Sequence, residues 1–181
     1  GGGGKASATY GLEALPLEPG SPGGWRWYTA GTPTGRGGGA IHLIAGGELS
    51  IDGLLTANGG NGWFYVGPGG SGGSVFLAGR RIRGIGEIRA KGGTSTYDST
   101  LKGYMGPGGG GRIAVWRQVP LAKVEQRIAA RDTRGLARSG AHRPFAEGKL
   151  LADVTPSALA FQPQPGTTGF YTFRGTTLLL R

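Results

Sequence analysis

The chain has 181 residues, enough for one domain, and 41 of them are glycine. It contains no cysteine, which excludes disulfides, cysteine-ligated zinc and a cysteine nucleophile. The net charge of +10 favours polyanionic partners, although arginines that only keep a glycine-rich surface soluble would give the same balance.

The composition also argues against three simple architectures. No Gly-X-Y triplet persists, which excludes collagen. Hydrophobic residues make up 37% of the chain and alternate in short runs, which disorder does not require. The apolar runs are too short to span a membrane. We therefore expect short strands joined by glycine-dense loops.

The chain divides into three regions. Residues 1–36 are rich in Gly, Pro and Trp, and we interpret them as an N-terminal arm or an irregular first turn of the fold. Residues 37–148 carry internal repeats. Residues 149–181 read as C-terminal strands that end in an apolar run, which makes them a candidate assembly segment.

Two stretches of the middle region align with each other. GGGAIHLIAGGELSIDGLLTANGG (residues 37–60) matches SGGSVFLAGRRIRGIGEIRAKGG (residues 71–93), at a spacing near 34 residues. The alignment places Ile41 with Val75, Leu43 with Leu77, Leu49 with Ile82, Leu55 with Ile88 and Ala57 with Ala90. We call these stretches the first and second repeats.

A third, weaker repeat starts at Gly109 with GGGRIAVWRQVP. In it, Ile128 and Ala130 take the places of Ile88 and Ala90, which favours a strand there. A short helix over residues 122–130 is the alternative, because glycine becomes rare after Arg117.

Within each repeat the apolar residues alternate with polar ones or glycine, which indicates strands of three to six residues. Gly, Gly-Gly or Asp52-Gly53 closes each strand with a sharp turn. Three short strands per repeat predict an all-β fold, a right-handed parallel β-helix (β-solenoid) with glycine-rich loops between its coils. An antiparallel sandwich or barrel is the alternative, with Asp52-Gly53 as a hairpin turn.

The motifs GGGAIHLIAGGELSIDGLLTANGGNG, GPGGSGGSVFLAG and GPGGGGRIAVW occur in that order. This succession resembles the glycine-rich repeat β-helix module of large bacterial surface and adhesin-like proteins, over roughly residues 1–116. The resemblance implies a secreted parallel β-helix and no defined chemistry. A more distant similarity is to the glycine-rich distal adhesins of phage tail fibres, in which polyglycine helices pack in layers. We rank it lower because strands outnumber polyglycine runs here.

The residues that carry chemistry are few. The two histidines, His42 and His142, lie far apart, and a solvent-facing His42 is a better interpretation than a metal ligand. Glu48 and Glu87 lie on strands, where we expect them to pair with nearby arginines. No P-loop follows the glycine runs. We therefore predict no enzyme activity, no catalytic residue, no metal and no cofactor.

A ligand surface is the remaining candidate. Arginines on strands and aromatic residues on loops would suit acidic polysaccharide, and less well nucleic acid. The alternative is that the aromatic residues only order the glycine-rich loops. The candidate contacts are Arg81, Arg83, Arg89, Trp63, Tyr65 and Tyr97.

The favoured function is that of an extracellular or cell-surface structural protein whose copies join into a filament or surface layer through exposed strand edges. The alternative is an adhesin that binds acidic glycans or other polyanions. The partner would be a second copy of the chain, with no membrane span. The candidate assembly residues are Phe170, Tyr171, Phe173, Leu178, Leu179 and Leu180.

Overall fold

A computed structural model describes residues 11–24, 34–63, 67–95, 97–98, 103–104, 106–138, 151–153 and 166–173. The first two repeats contribute three strands each. These are β1 (Ala40–Ile44), β2 (Glu48–Ser50) and β3 (Leu54–Thr56), then β4 (Ser74–Gly79), β5 (Arg81–Arg83) and β6 (Glu87–Arg89). The other elements are β7 (Tyr97–Asp98), β8 (Gly103–Tyr104), β9 (Arg112–Arg117), α1 (Leu121–Ala130), β10 (Leu136–Arg138), β11 (Leu151–Asp153) and β12 (Thr167–Phe173).

The strands form four sheets in the described part of the chain. The large sheet has five strands in the order β1-β4-β9-β12-β10. Its first four strands run parallel, and β10 pairs antiparallel with β12. A three-stranded sheet, β11-β6-β3, and a two-stranded sheet, β2-β5, are both parallel. The short strands β7 and β8 pair antiparallel.

The first two repeats pair in the residue correspondence that the sequence alignment predicts. Ile41 lies opposite Val75, and Leu43 lies opposite Leu77. Leu49 meets Ile82, and Leu55 meets Ile88. Because every neighbouring pair between these repeats is parallel, the alternative of an antiparallel sandwich or barrel is not observed.

The predicted fold class is nevertheless wrong. The chain has a mixed α/β fold and not an all-β right-handed parallel β-helix. The large sheet is mixed because β10 runs antiparallel to β12. Among the described residues, the regular pattern of three strands per repeat is confined to the first two repeats. After β9 the described chain forms a helix instead of completing a third repeat.

The helix α1 occupies residues for which the repeat alignment predicted a strand. Pro120 stands at the N-cap position with φ −63°, and Leu121, Val124 and Ile128 follow at helical spacing. Val124 is buried, and the helix ends at Ala130, followed by the C-cap residue Arg131 in left-handed backbone geometry. The match of Ile128 and Ala130 to the earlier repeats was therefore coincidental, and helical periodicity without glycine determined the structure.

Two hydrophobic cores lie on opposite faces of the large sheet. The inner core includes Val75, Leu77 and Val115, which pack against Ile82 and Ile88 of the smaller sheets. The outer core is built around Phe76 and Trp116, whose rings meet edge to face at 5.0 Å.

Residues 11–19 and α1 cover the outer core. Leu15 and Val124 are each 1% exposed. The indole Nε1 of Trp116 donates to the carbonyl oxygen of Ala14 at 2.6 Å, and Ser74 Oγ donates to the carbonyl oxygen of Glu18 at 2.7 Å.

A layer of glycine segments closes one side of the strands. Its members are residues 20–24, 34–39, 57–62, 67–73, 90–95 and 106–111, and backbone hydrogen bonds join them directly. Gly72 N donates to Gly109 O at 2.9 Å, and Gly111 N donates to Ala90 O at 2.7 Å. A Cβ atom at Gly72 would lie only 2.6 Å from Gly111 N. The segments thus approach too closely for side chains, so these glycine-rich stretches between strands form a packed layer.

Candidate functional site

One end of the stacked repeats is incompletely covered. Within the described residues, β1, β2 and β3 each pair along one edge only, with β4, β5 and β6. We call this the open end. The inward side chains of its strands are only partly buried: Ile41, Leu43, Leu49 and Leu55.

The side chains of the next layer, in the second repeat, are more deeply buried. Val75 and Leu77 are 0% exposed, Ile82 is 2% and Ile88 is 1%. The same kind of residue therefore changes from partly exposed to fully buried when one more layer of strands covers it. The open end presents an apolar layer that has a cover on one side only.

The backbone of β1 has hydrogen-bonding groups at this end that no described strand pairs with. Ser74 N donates to Gly39 O at 3.1 Å, and Ala45 N donates to Ala78 O at 2.9 Å. Because successive residues of a parallel strand point their backbone groups to opposite sides, the groups of Ile41 and Leu43 face β4. Those of His42 and Ile44 face away from β4, toward the open edge.

The outer face of β1 is also partly uncovered. His42 is exposed and contacts the ring of Phe76 edge to face at 6.4 Å, in agreement with the prediction of a solvent-facing side chain. Ile44 is 38% exposed, and Leu121 of α1, which lies beside Gly46, is 39% exposed. Within the described residues, the outer face of the open end is thus partly exposed, as its inner face is.

The structure places the candidate arginines on the two smaller sheets. Arg81 and Arg83 are exposed on β5, and Arg89 is half-buried on β6. Arg83 forms an ion pair with Glu48, and Arg89 donates two hydrogen bonds of 2.6 Å to Glu87. The predicted pairing of both glutamates with arginines is confirmed, and it neutralises two of the three candidate charges.

A smaller basic surface lies where β4 turns into β5. Arg80 and Arg81 are exposed there, and both backbone N–H groups donate to Gly47 O. Arg117 lies opposite Gly79 at the end of β9. We call Arg80, Arg81 and Arg117 the basic corner. Sequence reasoning missed Arg117, which reaches this corner only through the pairing of β4 with β9.

Among the aromatic candidates, the structure describes the side chain of Trp63 alone. Trp63 is 61% exposed. Glu48 lies opposite Arg81, and β3 and residues 57–62 separate Trp63 from Glu48 along the chain. For Tyr97 the structure describes only the backbone, in β7. Tyr65 lies outside the described residues.

Two of the candidate assembly residues of β12 contact the hydrophobic cores. Phe170 packs against the inner core, and Tyr171 is 6% exposed in the outer core. Burial, followed by the nearby charge of Glu13, raises the pKa of Tyr171. The strand is paired along both edges, and Phe173 lies opposite Leu136 of β10. Residues 178–180 lie outside the described part of the chain.

Among the described residues, no three His, Asp or Glu side chains are grouped so that they could hold a metal ion. Among the same residues, no helix has the length and apolar character needed to cross a bilayer. Comparisons with protein-family models, with curated proteins and with solved structures gave no match. The open end and the basic corner are the two candidate binding surfaces of the described residues.

Proposed function

We propose that the protein is an extracellular or cell-surface structural protein whose open end binds a second copy of the chain. The proposed location rests on the sequence resemblance to bacterial surface proteins. The proposed contact rests on one observation, the incompletely covered layer of β1, β2 and β3. Backbone groups and apolar side chains are available there together, which is the combination that strand addition uses.

The charges at the open end also favour contact with a like chain. The protein as a whole carries +10, so contacts between most parts of two copies are opposed by repulsion. The strands of the open end are different: β1 and β3 contain no Lys, Arg, Asp or Glu, and β2 contains only Glu48, which Arg83 neutralises. Two open ends can meet without bringing unpaired strand charges together.

The substitution His42→Pro tests the proposal. Proline removes the N–H group that faces the open edge and leaves the bonds from β1 to β4 in place, which is the setting in which edge strands accept proline. We expect the unchanged protein to form a concentration-dependent oligomer in sedimentation velocity, and His42→Pro to shift it to the monomer.

His42→Ala is the matched control, because it removes the same side chain and keeps the N–H group. We expect it to associate as the unchanged protein does. Circular dichroism of both variants checks that the fold is retained. A protein that stays monomeric at all concentrations up to about 1 mM, where association would be weaker than about 4 kcal/mol, contradicts the proposal.

A second candidate function is the binding of an acidic polysaccharide at the basic corner. The observation that favours it is the exposure of Arg80 and Arg81 side by side at the turn between β4 and β5. We expect Arg80→Glu with Arg81→Glu to abolish binding of polygalacturonate, and binding by the unchanged protein to weaken steeply with salt, as charge-driven binding does.

The control for this second candidate is Arg36→Glu. Arg36 is exposed and precedes β1, whereas the basic corner lies beyond the opposite end of that strand. If this variant loses as much affinity per charge as the double variant, net charge and not the corner causes binding, and the second candidate fails.

A further inference from the structure

We infer that two open ends meet about a twofold axis, with β1 antiparallel to β1 of the second copy, so that assembly stops at a dimer. This inference rests on the proposed function. It differs from the filament or layer that the sequence suggested, and its basis is a difference between the two ends of the stack.

In the part of the chain that the structure describes, the end opposite the open end offers no matching surface. The large sheet finishes there in β10, a strand of three residues that runs antiparallel to its neighbour. The side chain of Arg138 is bound on this strand, to Thr168 O at 2.9 Å and to Glu13 at 3.3 Å. The outermost strands of the smaller sheets, β5 and β11, come from other parts of the chain. They form no common three-strand edge with β10.

A head-to-tail filament requires two different, complementary surfaces, whereas a twofold contact requires one surface that is complementary to itself. All three strands of the open end belong to a single repeat, so their free edges lie together. The open end is thus the better candidate for self-complementary contact, and a contact of this kind closes after two copies.

The strand lengths fit this symmetry. β1 has five residues centred on His42. A twofold axis at His42 pairs all five with their counterparts, and pairs Ala40 with Ile44 of the second copy. The same axis reverses the order of β2 and β3 in the second copy. As a result, β2 of one copy lies over β3 of the other. Both have three residues.

The side chains also tolerate the contact. Ile41 and Leu43 of the two copies meet over the inner core. Glu48 lies over Thr56 of the second copy and meets no carboxylate. Asp52 stands near the axis, but its carboxylate is held by its own chain: it accepts from Ile85 N at 3.3 Å and from Ser50 Oγ at 2.9 Å.

Single cysteines test the arrangement, because the chain has no cysteine of its own. With a short bifunctional thiol reagent, we expect His42→Cys to give one cross-linked species of twice the chain mass. Ala40→Cys and Ile44→Cys should cross-link efficiently only when the two variants are mixed. Arg138→Cys, on β10 at the opposite end, is the control and should remain single.

The outcomes separate this inference from the proposed function. A ladder of higher oligomers that His42→Pro abolishes overturns the twofold dimer and retains assembly at the open end. Efficient cross-linking of Ala40→Cys or Ile44→Cys alone also overturns the pairing centred on His42. A protein that sediments as a monomer and gives no cross-link at any of these positions overturns both.

Discussion

The close packing of the glycine layer predicts that a single added methyl group strongly destabilises the protein. In Gly72→Ala, the added Cβ atom would lie 2.6 Å from Gly111 N and 2.7 Å from the carbonyl carbon of Ala90. Ordinary contacts of this kind need about 3.5 Å, so the segments must separate by about 1 Å. This movement breaks the bonds from Gly72 N to Gly109 O and from Gly111 N to Ala90 O. Each broken bond leaves buried groups unsatisfied, at about 1–3 kcal/mol.

We therefore expect Gly72→Ala to lower the free energy of unfolding by about 2–6 kcal/mol, a large part of the about 5–15 kcal/mol typical of a domain. Urea unfolding followed by circular dichroism measures this change. Gly106→Ala is the control: Gly106 belongs to the same layer, but its added Cβ would meet nothing within 4 Å. We expect a change within about 1 kcal/mol there. Equal unfolding free energies for the two variants would refute the close packing of this layer.

Two further predictions concern the cover of the outer core and the end of the helix. Trp116→Phe removes the donor to Ala14 O. We therefore expect the free energy of unfolding to fall by about 1–3 kcal/mol and proteolysis within residues 11–19 to become faster. An unchanged rate of proteolysis would contradict this. A hydrogen bond from Arg134 lowers the pKa of Asp132 from 3.8 to about 2. This carboxylate therefore stabilises the fold above about pH 4, and the stabilisation disappears as the pH falls toward 2. We expect Asp132→Asn to flatten the acid branch of the stability curve measured by thermal unfolding; identical branches would rule out the pairing.

The sequence predicted the neighbours of the first two repeats correctly, because apolar alternation and glycine turns act locally. Ile41 with Val75 and Leu55 with Ile88 follow from matched periodicity alone. The helix over Leu121–Ala130 was only the alternative prediction, because two aligned residues were given more weight than the helical spacing of Leu121 and Val124. A local periodicity of three to four residues carries more information than a distant match of two.

The glycine layer and the antiparallel strand β10 were harder to predict. Glycine has no side chain, so a glycine run gives no pattern that distinguishes a projecting loop from a packed segment. The pairing of Leu136 with Phe173 joins residues far apart in sequence, and no repeat relates them. Both features depend on long-range backbone contacts, and the antiparallel strand is one reason why the fold class differs from the predicted one.

Among the candidate functional residues, too, some features could be predicted from the sequence and others could not. Pairing of Glu48 and Glu87 with arginines was predictable, because the partners lie on the same or the neighbouring strand. The burial of Tyr171 was not, because the C-terminal strand lies between β9 and β10 rather than at a free edge. Of its apolar residues, Phe170 contacts the inner core and Tyr171 lies in the outer core.

The glycine layer has a thermodynamic consequence for the whole protein. Unfolding exposes hydrocarbon, which raises the heat capacity, and exposes peptide groups, which lowers it. Segments that pack backbone against backbone release mainly peptide groups. An ordinary chain of 181 residues would show a heat-capacity change of about 2.2–2.7 kcal/mol/K. Calorimetry of this protein should give a smaller value. Its stability would then vary less with temperature than that of a protein of equal length with a conventional interior.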